Sequence, residues 1–206
     1  NFNIDKVTLG GPVFDLVKLG WVNNQHMKMK DLDELTRLTV PFFVNEGYLA
    51  SENVSEKEFE TLKKIVEIER EGAKTLKEIA KNSKFFFVDE FSLPEIKEDM
   101  DKKERKSVEK LLNSLKDEVG LKSIKLFIEK LEKWDGNEFT AEQAKDLLHS
   151  LLDDLQEGPG KIFMPIRAVL TGESKGADLY NVLYVIGKER ALKRIKDTVK
   201  KYNIEI

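Results

Sequence analysis

Catalytic chemistry has few candidate residues in this sequence. The two histidines, His26 and His149, lie far apart in the chain and suggest no metal site. Asp153 and Asp154 are neighbours on a predicted helix, so their side chains diverge by about 100° around its axis. A solvated helix face explains these two acids better than a catalytic carboxylate pair does. We therefore expect neither a catalytic residue nor a bound metal in this chain.

A phosphate-binding loop is also excluded. The stretch GPGKI at 158–162 contains the Gly-Lys pair that such loops carry. However, Ile162 stands where the loop needs a hydroxyl residue, and the first glycine is missing from its required spacing. We expect no cofactor in this chain.

Arg167 is the charged residue that most needs an explanation. It lies in MPIRAVLTGESKGADL (164–179), inside an apolar run that ends at Thr171-Gly172 and is followed by a short flexible loop. Two interpretations are open for this cation. It forms an ion pair with a helix neighbour or with Glu173, or it emerges beside the turn to contact a ligand.

Charge is distributed unevenly along the chain. Residues 161–206 contain ten Lys or Arg against five acids, whereas the other 160 residues contain 25 against 33. A basic end can attract a polyanion, because cations that contact phosphates release condensed counterions. The alternative is a solvated helix face. The residues concerned are Lys188, Arg190, Lys193 and Arg194, which we expect to be solvated, with phosphate contact as the alternative.

Composition indicates a globular, cytoplasmic protein. The 206 residues are 40% hydrophobic and 35% charged, and no window approaches the roughly 18 apolar residues of a membrane span. The start of the chain lacks the layout of a signal peptide. The absence of cysteine fits a reducing compartment and excludes disulfides and thiolate metal sites.

The periodicity of apolar residues predicts an all-α fold. Two capping boxes, Ser55-x-x-Glu58 and Thr140-x-x-Gln143, mark helix starts, and the most strand-like stretch is the short run KFFFV at 84–88. A charged stretch at 88–103 that contains Pro94 is the predicted linker. Further helices are predicted at 102–116, 121–134, 162–170, 178–186 and 188–202, with Gly172, Gly176 and Gly187 separating the last three.

Aromatic residues are predicted to belong to the core. A run of three phenylalanines, Phe85, Phe86 and Phe87, could stack on nucleic-acid bases, but such a run beside an amphipathic helix is more typical of a core. Trp21 and Trp134 fall on apolar helix stripes, and we expect them to be buried as well.

Three ordered blocks of the sequence resemble the C-terminal half of bacterial glutamyl-tRNA synthetases. The blocks are VFDLVKLGWVN (13–23), AKTLKEIAKNSKFFF (73–87) and MPIRAVLTG with LYNVLYVIGKERALKRI (164–195). The resemblance implies the end of a stem-contact domain at 1–33, followed by two helical-bundle (helical cage) anticodon-binding domains at 34–91 and 92–206. The two signatures of the family's catalytic domain do not occur here, so this chain alone is expected to be non-catalytic. ATP and magnesium would bind in the missing catalytic domain.

The same resemblance implies which residues contact the anticodon. They are Arg167 and the loop residues Gly176, Ala177, Asp178 and Leu179. Arginine suits this role because its planar fork donates paired hydrogen bonds to a base edge and also stacks on a base face. Gly176 and Ala177 stand where the family often has threonine and proline, so only backbone groups could act there.

Gly72 is a further departure from the family. It stands where many members have an arginine that helps to accept cytosine beside uracil at the wobble base. Arg70 is the nearest substitute, but two residues along a helix correspond to about 200°, which predicts that it points to the opposite side. We therefore expect relaxed or altered wobble discrimination.

Two functions follow from these observations. The first is tRNA binding within a glutamate-tRNA ligase, with the tRNA for glutamate as the partner and the tRNA for glutamine as a further candidate. The second is a helical protein-interaction module, derived from a synthetase, that no longer binds RNA. Without a long heptad seam in the sequence, a monomer is the expected state.

Overall fold

Ten α-helices and no strand make up residues 14–206, the part of the chain that this computed structural model describes. The predicted all-α fold is confirmed. The helices are α1 (Leu16–Met29), α2 (Leu32–Asn45), α3 (Glu56–Glu69), α4 (Leu76–Asn82), α5 (Lys84–Phe87), α6 (Lys102–Ser114), α7 (Glu118–Lys133), α8 (Ala141–Leu155), α9 (Pro159–Thr171) and α10 (Leu179–Lys201). Within that described part, no helix has the length and apolar character that a membrane crossing requires.

Side-chain caps determine where several helices begin. Both predicted capping boxes form; in the first, Ser55 Oγ accepts from the amide of Glu58 at 3.3 Å and Glu58 Oε2 accepts from the amide of Ser55 at 2.8 Å. Helix α7 starts three residues before its predicted start. Asp117 caps it there by accepting hydrogen bonds from the amides of Val119 and Gly120.

The stretch with the strongest strand pattern, 84–88, forms the single helical turn α5 instead. Phe86 is buried in the core, and Phe87 stacks on Tyr48 with ring centroids 4.8 Å apart. The predicted linker contains no helix between Val88 and Asp101. Its start is nevertheless fixed, because Asp89 is hydrogen-bonded to α10.

The helices pack in two groups. Helices α2, α3 and α4 pack against one another. Helices α6, α7, α8 and α10 each contact α9. Helix α10 also contacts α3 and α5. Residues from both groups belong to one hydrophobic core. The domain boundaries at residues 33 and 91 remain predictions, and the first 13 residues of the predicted stem-contact segment lie outside the described range.

A break at Gly187 divides α10 into the two helices that the sequence predicts. Its φ of 71° lies in the left-handed region, which favours glycine. A Cβ at this position would also lie only 2.8 Å from the carbonyl oxygen of Asn137. The break lets the second half of α10 turn back along the linker.

The tryptophans differ from each other in burial. Trp134 is half-buried and its ring centroid lies 4.9 Å from that of Phe139. Trp21 is 61% exposed, so its predicted core position is wrong. Helix α1 contacts the rest of the described chain through the buried Met27 and through polar groups such as Asn24 Nδ2, which donates to the carbonyls of Arg70 and Ala73. This leaves its apolar side, which includes Trp21, uncovered by described residues.

A partly buried ion-pair cluster joins the linker to α10; we call Asp89, Arg190 and Arg194 the Asp89 cluster. Asp89 Oδ1 accepts from Arg190 Nε at 2.5 Å and from Arg194 Nε at 3.0 Å. Arg194 is 1% exposed and also donates to the carbonyl of Val88 at 2.9 Å. Burial alone would raise the pKa of Asp89, but the hydrogen bonds from the two arginines outweigh it and the pKa is lowered.

Removing the acid from this cluster should destabilise the fold. We expect Asp89→Ala to lower the free energy of unfolding by about 3 kcal/mol, because it leaves the buried Arg194 cation without a counter-charge. Urea denaturation measures the change. The matched control is Asp197→Ala, which removes an exposed ion pair to Lys193 on the same helix and should have little effect. Equal losses in the two variants would contradict the structural role of Asp89.

Candidate nucleic-acid interface

The loop that follows α9 begins at a position that only glycine fits well. Gly172 ends α9 with a φ of 70°, and a Cβ there would lie 2.5 Å from the ring of Phe91. The loop runs from Gly172 to Asp178, which precedes the first turn of α10. Its path is therefore set by close packing at its start and by a helix at its end.

Arg167 holds this loop in place. Its guanidinium Nη1 donates to the carbonyl oxygen of Ala177 at 2.9 Å, and the residue is half-buried. Burial lowers the pKa of Arg167, and the nearby Asp178 carboxylate partly offsets this effect. Among the ion pairs of the described residues, none includes Arg167, so the pairing with Glu173 that the sequence left open does not form. Arg167 is placed to position the loop.

Three adjoining concavities run along the loop, and we refer to them together as the loop groove. Their volumes are about 460, 520 and 630 Å³ for the first, middle and third sections. The first includes Lys84, Phe85, Phe91, Glu173 and Lys201. The middle includes Glu69, Gly72, Lys81, Lys84, Phe85, Lys175, Gly176 and Ala177. The third includes Arg70, Glu71, Gly176, Ala177, Asp178, Tyr180 and Tyr184.

The loop groove brings together several residues that the sequence predicted for one site. Gly72 lies in the middle section with Gly176 and Ala177, although about 100 residues of chain separate them. Asp178 lines the third section. Leu179 requires a correction: it is 5% exposed and belongs to the hydrophobic core, so its side chain is not available to a ligand.

The surroundings of Gly72 leave room for a side chain. No described atom would lie within 4 Å of a Cβ built on this glycine. Helix α3 ends at Glu69, so the helical angle that predicted opposite directions for Arg70 and Gly72 does not apply. Arg70 lines the third section, next to the section that contains Gly72.

The basic residues of α10 are mostly used inside the protein. Arg194 is buried, and Arg190 pairs with Asp89, so neither presents a free cation to a phosphate. Lys188 donates to the carbonyls of Glu132 and Trp134. Lys193 is exposed and pairs with an acid one turn away. A solvated face was therefore the wrong expectation for Arg194, and phosphate contact is not available to it.

Sequence reasoning missed the cations that do face the loop groove. Lys81, Lys84 and Lys175 line the middle section, and all three are exposed. The uneven distribution of charge along the chain did not point to these lysines, because Lys81 and Lys84 belong to its acidic part. The repeated lysines of KTLKEIAKNSK (74–84) were the available signal.

Glu69 is an unusual acid in the wall of the middle section. It is 9% exposed, and its Oε1 atom has no hydrogen-bond partner among the described residues. Burial raises its pKa from 4.5 to about 7, against the opposing effect of a hydrogen bond to Asn82. The described residues contain no group of three His, Cys, Asp or Glu arranged to hold a metal ion.

Comparison with known proteins shows the family of this chain. Residues 34–199 match the family described as "anticodon binding domain". A glutamate-tRNA ligase of Fusobacterium nucleatum is 92% identical over all 206 residues, which cover 40% of that protein. Glutamate-tRNA ligase 1 of Caldicellulosiruptor saccharolyticus is 36% identical over 95% of the chain and 37% of its own length.

A solved structure gives the same similarity in three dimensions. The crystal structure of a glutamate tRNA ligase from Elizabethkingia meningosepticum, in complex with its amino acid, aligns with a TM-score of 0.69 at 28% identity. The alignment covers 99% of this chain and 36% of that one. The chain belongs to the anticodon binding domain family. It spans about two fifths of the length of the curated relatives it matches.

The raised pKa of Glu69 predicts a stability that depends on pH. Since the folded state binds this proton more tightly than the unfolded state, the contribution is complete below about pH 4.5 and is lost as pH rises through about 7. The loss should amount to roughly 3 kcal/mol. Glu69→Gln should remove this component of the pH dependence, as measured by urea denaturation between pH 5 and pH 8.

The control for Glu69 is Glu67→Gln, which changes an exposed glutamate on the same helix. This variant should keep the pH dependence of the unmodified chain. Parallel stability curves for the unmodified chain and Glu69→Gln would mean that the burial of Glu69 has no such consequence.

Proposed function

We propose that this chain is the anticodon-binding part of a glutamate-tRNA ligase and that its partner is the tRNA for glutamate. The observation that best supports the proposal is the convergence of Gly72, Gly176 and Ala177 on one groove. These residues come from distant parts of the sequence, and the resemblance to the synthetases had assigned all three to the anticodon. The names of the relatives add support, because they are glutamate-tRNA ligases.

The loop groove has the features that unpaired bases need. Its middle section exposes loop residues with small side chains, so backbone N–H and C=O groups can bind the edges of splayed bases. In the third section, Tyr180 and Tyr184 offer aromatic rings, and Asp178 and Arg70 offer hydrogen-bonding groups. Arg167 supports this surface through its hydrogen bond to Ala177.

The proposal assigns positioning of the RNA to this chain and the reaction to other parts of the ligase. ATP and magnesium would bind a catalytic domain, and no residue of the loop groove is assigned to them. One chain suffices to build the groove, so a monomer is the proposed state. Because tRNA is charged in the cytoplasm, the proposal also places the protein there. A protein-interaction module without RNA binding is the competing function.

Arg167→Ala should weaken binding of an RNA stem-loop that carries the glutamate anticodon. We expect a loss of about 1–3 kcal/mol, measured by fluorescence anisotropy, because the loop loses the group that positions it. The slope of affinity against salt should stay nearly unchanged, since this half-buried cation does not line the groove. Arg167→Lys should recover little affinity, since lysine lacks the planar fork.

The matched control for Arg167 is Arg105→Ala, which removes an exposed arginine that pairs with Glu109 on α6. Its affinity should equal that of the unmodified chain. If the unmodified chain itself fails to prefer the glutamate stem-loop over one with an unrelated anticodon, the protein-interaction module becomes the better account.

We further propose that Gly72 leaves the wobble base less strictly read than in synthetases with an arginine at this position. Space around the glycine supports this, because a Cβ there would meet no described atom within 4 Å and the glycine lines the middle section. Gly72→Arg should therefore increase the preference between stem-loops that differ only at the wobble base, by at least about threefold on the scale of a single polar contact. An unchanged preference in this variant would oppose the proposal.

The tRNA for glutamine is the remaining candidate partner. We propose that the same groove admits its anticodon, because the glycine and alanine of the loop provide few side chains that could exclude another base. A stem-loop with the glutamine anticodon, titrated beside the glutamate one, measures this directly.

A further inference from the structure

We propose that Lys81, Lys84 and Lys175 form a phosphate-binding rim on the loop groove and that Phe85 stacks on an unpaired base of the same RNA strand. The proposal rests on the RNA-binding function proposed above and names residues that the sequence resemblance did not assign. It also replaces α10 with the middle section of the groove as the place where the backbone of the RNA is held.

The three lysines converge from three separate elements. Lys81 belongs to α4, Lys84 to α5 and Lys175 to the loop after α9, and all of them line the middle section. Lys84 also lines the first section, where Lys201 of α10 lies. The three cations therefore share the middle section, and Lys84 and Lys201 extend the row of lysines into the first section.

These lysines are available for a ligand. Within residues 14–206, none of the three takes part in an ion pair or donates a side-chain hydrogen bond to the protein. They differ in this respect from Arg190 and Arg194, whose hydrogen bonds are satisfied by Asp89 and by backbone carbonyls. Exposed cations without internal partners are the groups that bind phosphates.

The acids near the rim weaken its positive charge only in part. Glu69 and Glu173 line the middle section, and burial raises the pKa of both carboxyl groups. The charge of Lys84 opposes the rise in the pKa of Glu173, and the charge of Lys175 helps to lower the pKa of Asp101. The middle section therefore holds three lysines against two glutamates, and Glu69, with a pKa of about 7, is only partly ionised near neutral pH.

Phe85 is the member of the phenylalanine run that faces the groove. Phe86 is buried and Phe87 stacks on Tyr48, whereas the half-buried Phe85 lines both the first and the middle sections. Its ring centroid lies 4.2 Å from that of Phe86, which fixes the ring from behind. On the loop side its neighbour is Gly176, which has no side chain to cover it.

Exposed lysines beside an aromatic ring, as in the middle section, are the usual arrangement for binding single-stranded nucleic acid. The lysines neutralise phosphates without regard to sequence, while the ring stacks on whichever base the strand presents. The loop backbone and the third section, which lie next to the ring, are then left to distinguish one base from another. The rim would thus set where the strand lies.

The test measures how binding of a labelled RNA stem-loop with the glutamate anticodon depends on salt. The triple variant Lys81→Ala, Lys84→Ala, Lys175→Ala should reduce the log-log salt slope by about 2, or about 0.7 for each neutralised phosphate of a single strand. Between 50 and 200 mM salt, the Kd of the unmodified chain should then rise roughly 20-fold more than that of the variant.

A charge-matched triple variant provides the control. Lys57, Lys116 and Lys125 are exposed, and none of them lines the loop groove. Changing these three to alanine should leave the salt slope close to that of the unmodified chain. All six positions are on the surface, and urea denaturation verifies that both variants remain folded.

Phe85→Leu separates stacking from charge. This variant should weaken binding roughly 5-fold to 100-fold while the salt slope stays the same, because it removes an aromatic face and no charge.

Two outcomes would overturn the rim, and they can be told apart. If the unmodified chain prefers the glutamate stem-loop but the two triple variants show equal slopes, the phosphates are held elsewhere and the proposed function stands. If the unmodified chain shows no preference for that stem-loop, the proposed function fails together with the rim.

Discussion

The pairing of the partly exposed Asp89 with Arg190 and the buried Arg194 is the interaction on which the functional surface depends. A guanidinium that is 1% exposed is costly to bury unless its charge is balanced and its N–H groups are bonded. Asp89 and the carbonyl of Val88 meet this need for Arg194. The consequence is geometric, because the chain just after α5 is bound to α10.

That geometry explains why the loop groove exists. Helices α4 and α5 supply one wall, and the loop between α9 and α10 supplies the other. The first wall is fixed through Asp89 and through the hydrogen bond from Arg190 to the carbonyl of Phe87. The second is fixed by Arg167 on the carbonyl of Ala177. Arginine hydrogen bonds thus hold both walls in position, whereas the lysines are exposed at the surface of the groove.

Local signals predicted the fold well because helix starts and stops are encoded in short stretches. The capping boxes at Ser55 and Thr140 and the break at Gly187 each need only neighbouring residues to be recognised. The family resemblance added Gly72 and the loop at 176–178, which the structure places along one groove. For these features the sequence carried enough information.

Other features depend on contacts that no local pattern contains. The burial of Arg194 requires an acid 105 residues earlier in the chain, so a basic helix face was a reasonable but wrong expectation. Trp21 lies on an apolar stripe, yet no described element packs on it. Leu179 was expected to contact the anticodon, and its side chain packs inward instead. For Arg194 the deciding partner is distant in sequence.

The position of the RNA strand is the central claim, and photo-cross-linking tests it most directly. A stem-loop with the glutamate anticodon and 4-thiouridine in its anticodon positions would be irradiated with the chain, and cross-linked peptides would be identified by mass spectrometry. The account predicts cross-links at the aromatic residues of the loop groove, Phe85 and Tyr180. Cross-links confined to the outer surface of α6 and α7, with none in the groove, would contradict it.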